Sequence, residues 1–230
     1  MNNKLFLIPC PIAEDAVHTL SPEVLTAVQQ CQVFFVENER SARRFLKKIW
    51  KEMVIDDYSW FVIQDEGAAA QFRTQALSGK NIGIISDAGC PGVADPGQDL
   101  IAIAQEMQLT IHPLVGPSSI LLALMASGLN GQQFQFHGYL PIQEQDRQKA
   151  LKKLEAEVVK SGTTQIFIET PYRNNALIQT IIRTLDPNTR LCIAVDVTGT
   201  EESIRTKEIA TWKKEEINIH KMTAIFLIGK

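Results

Sequence analysis

The feature that most constrains the fold is a twelve-residue segment, Ser86–Gly97, which directly follows a short apolar run, Asn81–Ile85. The run has the composition of a strand buried on both faces, as in a parallel sheet. Three glycines, two prolines and two aspartates exclude a helix or a second strand over the segment. The pattern therefore predicts a loop at the carboxyl end of a strand, where open α/β sheets bind their ligands.

This loop has two interpretations. Backbone N–H groups at its glycines can come close to a ligand, and Asp87 can accept hydrogen bonds from hydroxyl or ammonium groups. Alternatively, the loop is a tight turn that only positions the next helix, predicted over Gln98–Gln108. Composition alone does not separate a ligand-binding loop from a connecting turn.

Apolar runs and amphipathic segments alternate along the first half of the chain, which predicts a mostly parallel sheet with helices on both faces. The predicted strands of this half are Leu5–Ile8, Val33–Val36, Ile82–Ile85 and Thr110–Leu114. The second half alternates less regularly and predicts a mixed sheet. We therefore expect an α/β protein of two domains, residues 1–115 and residues 116–230.

Composition excludes several classes of protein. No apolar run approaches the roughly 20 residues that a membrane helix needs, so we expect no membrane association. The four cysteines and four histidines are scattered, which indicates free thiols in a reducing cytoplasm and no metal site. A net charge of −3 argues against a protein that coats nucleic acid with its whole surface. P-loop, dinucleotide-binding, serine-nucleophile and zinc-protease motifs are also absent from the sequence.

Two further segments have a functional and an ordinary interpretation. Arg40, Arg44, Lys47 and Lys51 have the spacing of one helix face, which could bind a polyanion or simply face solvent. Gly116–Ser119 precedes an apolar helix whose first N–H groups could bind an anion, although Pro-Ser-Ser is also an ordinary helix start.

Several short motifs occur in the order of one known family. They are L-F-L-I-P-C-P-I, V-E-N-E-R, S-D-A-G-C-P-G-V-A-D-P-G, V-G-P-S-S, A-S-G-L, G-Y-L-P and E-T-P-Y-R. The chain thus resembles the tetrapyrrole methylase superfamily of S-adenosylmethionine-dependent methyltransferases. Within it, the chain is most similar to the ribosomal small subunit methyltransferase I group, which methylates a cytidine ribose 2′-oxygen of 16S ribosomal RNA. The likeness covers Leu5–Arg173 and, more faintly, continues to Gly229.

The resemblance implies two α/β domains with the cofactor S-adenosylmethionine in the cleft between them, and a cytoplasmic homodimer. Its implied cofactor-binding residues are Ile12, Asp87, Gly89, Cys90, Val93, Ser118, Ser119, Ile168 and Ala224. Glu37 and Glu169 are the candidate proton acceptors. The candidate substrate-binding residues are Arg40, Arg43, Arg44 and Arg173. N–H groups of the glycine loop or of the helix start at Ser118 would suit the cofactor's carboxylate.

The chain departs from the family pattern where RNA phosphates would lie. The family's first loop has the pattern T-P-I-G-N-L, whereas this chain has the acidic residues Glu14 and Asp15 there. An arginine expected later is Val195. Two alternatives to an enzyme acting on ribosomal RNA therefore stay open. One is a C-methyltransferase of a tetrapyrrole (corrin or porphyrin) precursor, and the other is a binding protein that keeps the fold without transferring a methyl group.

Overall fold

The computed structural model describes residues 3–230; Met1 and Asn2, where the predicted first domain begins, lie outside the described residues. The chain forms two compact units, the first ending at Ser118 and the second spanning Ser119–Lys230. The division predicted between residues 115 and 116 lies near this point and, as a domain boundary, stays a prediction. Within residues 3–230, no helix combines the length and apolar composition that crossing a membrane requires.

The first unit contains a five-stranded parallel sheet. Its strands are β1 (Lys4–Ile8), β2 (Val33–Val36), β3 (Ser59–Val62), β4 (Ile82–Ile85) and β5 (Thr110–Pro113). Its helices are α1 (Glu23–Val28), α2 (Glu39–Ile49), α3 (Ala68–Leu77) and α4 (Gln98–Glu106). The strand order is β3-β2-β4-β1-β5, so β4 lies between β2 and β1. The segments that follow these three strands therefore meet at one edge of the sheet.

Helices cover both faces of this sheet. Successive strand residues point to opposite sides, and because the strands are apolar throughout, both sides must be buried. Phe34 and Val36 of β2 pack in the cluster formed with α1 and α2. Val33 and Phe35 pack in the cluster formed with α3 and α4. The predicted buried strand is thus confirmed in β2 and β4, whose residues are all buried.

The helix that carries the predicted basic face is α2, which begins at Glu39 and ends at Ile49, so Lys51 lies just beyond it. The side chain of Asn38 accepts a hydrogen bond from the Ser41 backbone N–H at 3.1 Å and caps α2 at Glu39. Strand β3 is absent from the sequence-based expectation. Its residues are all only partly buried, so the Ser59–Val62 segment lacks the continuous buried character of its neighbours.

The second unit contains a mixed five-stranded sheet. Its strands are β6 (Phe134–Tyr139), β7 (Thr164–Ile168), β8 (Arg190–Val195), β9 (Ser203–Glu208) and β10 (Ala224–Gly229). Its helices are α5 (Ser119–Ser127), α6 (Glu144–Ser161), α7 (Asn174–Thr184) and α8 (Ile209–Trp212). The strand order is β6-β7-β10-β8-β9, and only the β6–β7 pair is parallel. The predicted α/β fold class, with a parallel sheet followed by a mixed sheet, is confirmed.

Candidate functional site

Three segments are locked together at the carboxyl edge of the first sheet. The Cys10 N–H donates to the Gly89 carbonyl at 2.9 Å, and the Gly89 N–H donates to the Cys10 carbonyl at 3.0 Å. The Cys90 thiol lies 3.4 Å from the Pro117 carbonyl oxygen, to which it donates. The loop after β1, the loop after β4 and the segment that ends the first unit therefore form one connected surface.

Two glycines make this close approach possible. Gly89 has φ +75°, a conformation that residues with a side chain rarely adopt. At Gly116 an added Cβ would lie 2.2 Å from Cβ of Pro9, well inside van der Waals contact. The glycine-rich pattern thus serves backbone packing between the segments as well as turn formation.

The N–H groups at the start of the glycine loop are already used. The Asp87 N–H donates to Glu37 Oε1 at 3.0 Å, and the Gly89 N–H is held by Cys10. These two N–H groups are therefore already bonded within the protein, and the assignment of a ligand's carboxylate to N–H groups of the glycine loop stays a prediction. The other predicted donor set, at the start of α5, stays a prediction.

Three carboxyl groups lie close together beside this surface. Glu37 follows β2, Asp87 follows β4, and Asp95 lies near enough to both for their side chains to affect its pKa. Burial first, and then the Glu37 side chain and the charge of Asp87, raise the pKa of Asp95 from 3.8 to about 8, against a smaller lowering by Ser86. Asp95 therefore carries its proton at neutral pH.

The neutral form of Asp95 also suits its surroundings. Its Oδ2 atom is buried and has no hydrogen-bond partner within residues 3–230, which costs less for a neutral carboxyl than for a charged one. The pKa of Asp87 is also raised, first by burial and then by the Glu37 charge, while its side chain is exposed at the surface. Asp87 thus presents an accessible carboxyl group beside Glu37 and Asp95.

A cavity of about 270 Å³ opens between the first loop and α2. Its lining includes Ile12 and Asp87, which the resemblance assigns to the cofactor, and Arg44, which it assigns to the substrate. The volume lies just below the range of about 300–1,000 Å³ typical of complete small-molecule sites. The cavity can therefore hold a part of a larger ligand, such as one nucleotide unit.

The cations of α2 differ in what they contact. Arg44 pairs with Glu14 at 3.1 Å, and Lys48 pairs with Asp15 at 3.1 Å. Lys48 also donates to the Glu14 carbonyl at 2.8 Å. The acidic residues that distinguish the first loop from the family pattern therefore lie directly on two cations of the basic helix.

The other predicted arginines of α2 lie elsewhere. Arg43 forms an ion pair with Glu39, and its guanidinium carbon lies 5.2 Å from the ring centre of Trp60 on β3. Arg40 is exposed and has no ion pair within the described part of the chain. Neither residue lines the cavity, so only Arg44 of the three joins Ile12 and Asp87 there.

Three of the predicted cofactor residues, Ser119, Ile168 and Ala224, belong to the second unit. Ser119 begins α5, Ile168 ends β7 and Ala224 begins β10. Ile168 pairs with Ile225, so Ile168 and Ala224 lie at the same end of two adjacent strands. Their assignment to the cofactor stays a prediction.

Glu169 is held within the second unit. Its side chain is only 1% exposed, and Oε1 accepts hydrogen bonds from Arg173 Nη2 at 2.6 Å and Nε at 2.9 Å. The Thr170 N–H donates to the same oxygen at 2.6 Å, whereas the buried Oε2 has no partner within residues 3–230. These contacts fit a residue that shapes the E-T-P-Y-R loop. The role of Glu169 as a proton acceptor stays a prediction.

Sequence reasoning missed three residues of this region. Asp95 lies within the glycine-rich string but received no role, and its contact with Glu37 depends on the fold. Glu14 and Lys48 are 34 positions apart and meet only because the first loop lies along α2. The one available signal was the acidic departure of the first loop from the family pattern.

Comparison with known proteins agrees with the motifs. The family model for Tetrapyrrole (Corrin/Porphyrin) Methylases matches residues 15–212, most of the chain. The chain belongs to the tetrapyrrole methylase family. It is therefore identified as a methyltransferase.

One relative and two solved structures are similar to this tetrapyrrole methylase over most of its length. The Ribosomal RNA small subunit methyltransferase I of Vibrio cholerae serotype O1 is 28% identical over 97% of this chain and 76% of the relative. A crystal structure of diphthine synthase matches 99% of this chain and 90% of its own, with TM-score 0.69 and 13% identity.

A second structure is that of Uroporphyrin-III C-methyl transferase from Thermus thermophilus, complexed with S-adenosyl homocysteine. It matches 99% of this chain and 98% of its own, with TM-score 0.56 and 11% identity. At such identities, both structural matches show the fold alone.

Proposed function

We propose that this tetrapyrrole methylase transfers a methyl group from S-adenosylmethionine to a ribose 2′-oxygen of small-subunit ribosomal RNA. The observation that carries the proposal is the similarity over nearly the whole chain to ribosomal RNA small subunit methyltransferase I. The cavity that joins Asp87 and Ile12 to the basic helix supports it, because it offers cofactor-type and phosphate-type contacts side by side.

The side chains present fit the proposed cofactor. Asp87 offers an exposed carboxylate for an ammonium group or a ribose diol, and its backbone is fixed by Glu37. Ile12, Val93 and Ile168 offer apolar surface for an adenine. The cofactor's carboxylate is assigned to N–H groups of the glycine loop or to the helix start at Ser118 and Ser119; within the loop, the Asp87 and Gly89 N–H groups already have partners. Gly89, Cys90 and Ala224 complete the proposed set.

When bound, S-adenosylmethionine supplies a methyl group that is already activated by a sulfonium centre. The protein's contribution is then chiefly alignment of the acceptor and exclusion of water. A ribose hydroxyl also benefits from a proton acceptor. We favour Glu37 over Glu169 for this role, because Glu169 is buried and its Oε1 is held by Arg173. Arg40, Arg43, Arg44 and Arg173 remain the proposed substrate contacts, with Arg44 the best placed.

We further propose a homodimer that acts in the cytoplasm. The second unit exposes large apolar side chains, including those of Met125 on α5 and Tyr139 on β6. Such side chains support an interface between two copies of this chain. Light scattering during size-exclusion chromatography measures this directly, and a mass of 25.7 kDa would contradict the dimer.

The function is tested with methyl-labelled cofactor. The purified protein is incubated in parallel with small ribosomal subunits that lack the modification and with a tetrapyrrole precursor. We expect label in 16S ribosomal RNA, in a position that resists alkaline cleavage because the 2′-oxygen is blocked. Label in the tetrapyrrole instead would support a C-methyltransferase, and cofactor binding without transfer to either would support a binding protein.

A further inference from the structure

The acidic turn, defined here as Glu14 and Asp15, puts two carboxylates on the cations of α2, where a bound anion would also lie. The Ala16 N–H donates to the Ala13 carbonyl at 3.0 Å, which makes Glu14 and Asp15 the two central residues of a tight turn. Each carboxylate meets one cation of α2, Arg44 or Lys48, at 3.1 Å. Because these cations are four residues apart, they lie one above the other on the same helix face.

These two cations are well placed for a nucleic-acid strand. Both line the cavity that also contains Asp87, the proposed cofactor contact. Arg40 lies one turn before Arg44 and Lys51 lies beyond Lys48, and both are exposed. From Arg40 to Lys48 the helix rises about 12 Å, which is long enough for contacts with more than one phosphate.

The pairs formed by the acidic turn are weak enough to be replaced. The side chain of Glu14 is 76% exposed and that of Asp15 is 95% exposed, so solvent screens both interactions. Exposed pairs of this kind contribute little to folding, which makes a purely stabilising role for the turn a poor explanation. A phosphate offers the same charge and more acceptor oxygens to an arginine or lysine.

We propose that the acidic turn occupies the phosphate-binding positions of Arg44 and Lys48 until the correct RNA replaces it, so that Glu14 and Asp15 set the selectivity for RNA. This inference rests on the proposed function, since it takes the phosphates to be those of the RNA substrate. RNA that makes only phosphate contacts must compete with the turn. An RNA that also fits the rest of the site has additional contacts to favour the exchange.

The proposal is tested by the salt dependence of RNA binding. Fluorescence anisotropy measures the affinity for a labelled single-stranded RNA of unrelated sequence, at salt concentrations between about 50 and 300 mM. We expect Glu14→Gln/Asp15→Asn to bind this RNA about 2- to 30-fold more tightly than the wild-type protein does. We also expect the slope of log K against log salt to steepen by up to about 1.4, or about 0.7 for each cation released from its internal partner.

Two controls separate this competition from a general charge effect. Asp56→Asn/Asp57→Asn removes the same charge from two adjacent exposed residues and should leave the slope unchanged. In protein that already carries Arg44→Gln/Lys48→Gln, adding Glu14→Gln/Asp15→Asn should not increase the affinity for RNA. Unfolding midpoints of all variants establish that the comparison is made between folded proteins.

Two results would overturn the proposal. One is an unchanged affinity and slope in Glu14→Gln/Asp15→Asn, and the other is a gain that persists without Arg44 and Lys48. Wild-type protein assayed for methyl transfer to small ribosomal subunits keeps the two proposals distinct. Transfer to the subunits with no change in slope would refute only the competition, whereas a gain in binding without any transfer would refute only the proposed function.

Discussion

Replacement of Asp95 by asparagine should change how stability depends on pH. The folded protein holds a proton on Asp95 up to a pH of about 8, whereas an unfolded aspartate loses it near 3.8. Between these values the folded state binds more protons, so the free energy of unfolding falls as pH rises. The side-chain amide introduced by Asp95→Asn resembles the neutral carboxyl but does not titrate. The free energy of unfolding of this variant should therefore lack the fall with rising pH that Asp95 causes.

The size of the effect follows from one proton. A single proton held only by the folded state changes the free energy of unfolding by about 1.4 kcal/mol for each pH unit. Asp95 is only half-buried, so solvent screening narrows the pH range over which folded and unfolded protein differ in proton binding. Within that range the change for each pH unit stays the same. We therefore expect the wild-type protein to lose on the order of 2 to 4 kcal/mol relative to Asp95→Asn between pH 4 and pH 8.

Urea unfolding of both proteins across this range measures the difference, with Asp56→Asn as the exposed control. Carbon-13 NMR of labelled aspartate side chains reports the titration of Asp95 directly and does not depend on the unfolded state. The reasoning would be refuted by a carboxyl that titrates near its ordinary pKa and by parallel stability curves for the two proteins.

Three further predictions concern the loops and the proton acceptors. Gly116→Ala should destabilise the first unit by roughly 1–3 kcal/mol in urea unfolding, because its Cβ would overlap Pro9; equal stability would contradict the close packing. Arg173→Met should cost about 3–5 kcal/mol by the same measurement, since it leaves the Glu169 carboxylate buried without its cation, and a loss below about 1 kcal/mol would show that the pair is not structural. Glu37→Gln should slow methyl transfer with little change in cofactor affinity measured by calorimetry, and an unchanged turnover would exclude Glu37 as the proton acceptor.

The sequence predicts the elements of this protein better than the contacts between them. Continuous apolar runs such as Val33–Val36 identify strands because both faces of a parallel sheet are buried. Trp60–Ile63 is also a continuous apolar run, yet β3 was not predicted; β3 lies at the edge of the sheet, where its residues are only partly buried. A short apolar run therefore identifies a strand most clearly where both faces of the strand are buried.

In the candidate site, too, the sequence predicts the local elements better than the contacts between them. The glycine-rich string located the loop, yet two of its N–H groups donate to Cys10 and Glu37, which follow other strands. The raised pKa of Asp95 likewise depends on the order of strands in the sheet, which brings Glu37 and Asp87 close to it. Partners that are distant in sequence decide which groups of a motif stay available to a ligand.

Calorimetric titration with S-adenosylhomocysteine tests most directly whether the loops at the carboxyl edge of the first sheet hold the cofactor. We expect one binding site per chain in the wild-type protein and binding weaker by about 10- to 100-fold in Asp87→Asn, which removes a charged acceptor. Asp56→Asn should bind as the wild-type protein does. Absence of binding to the wild-type protein, or equal affinity in Asp87→Asn, would contradict this account of the site.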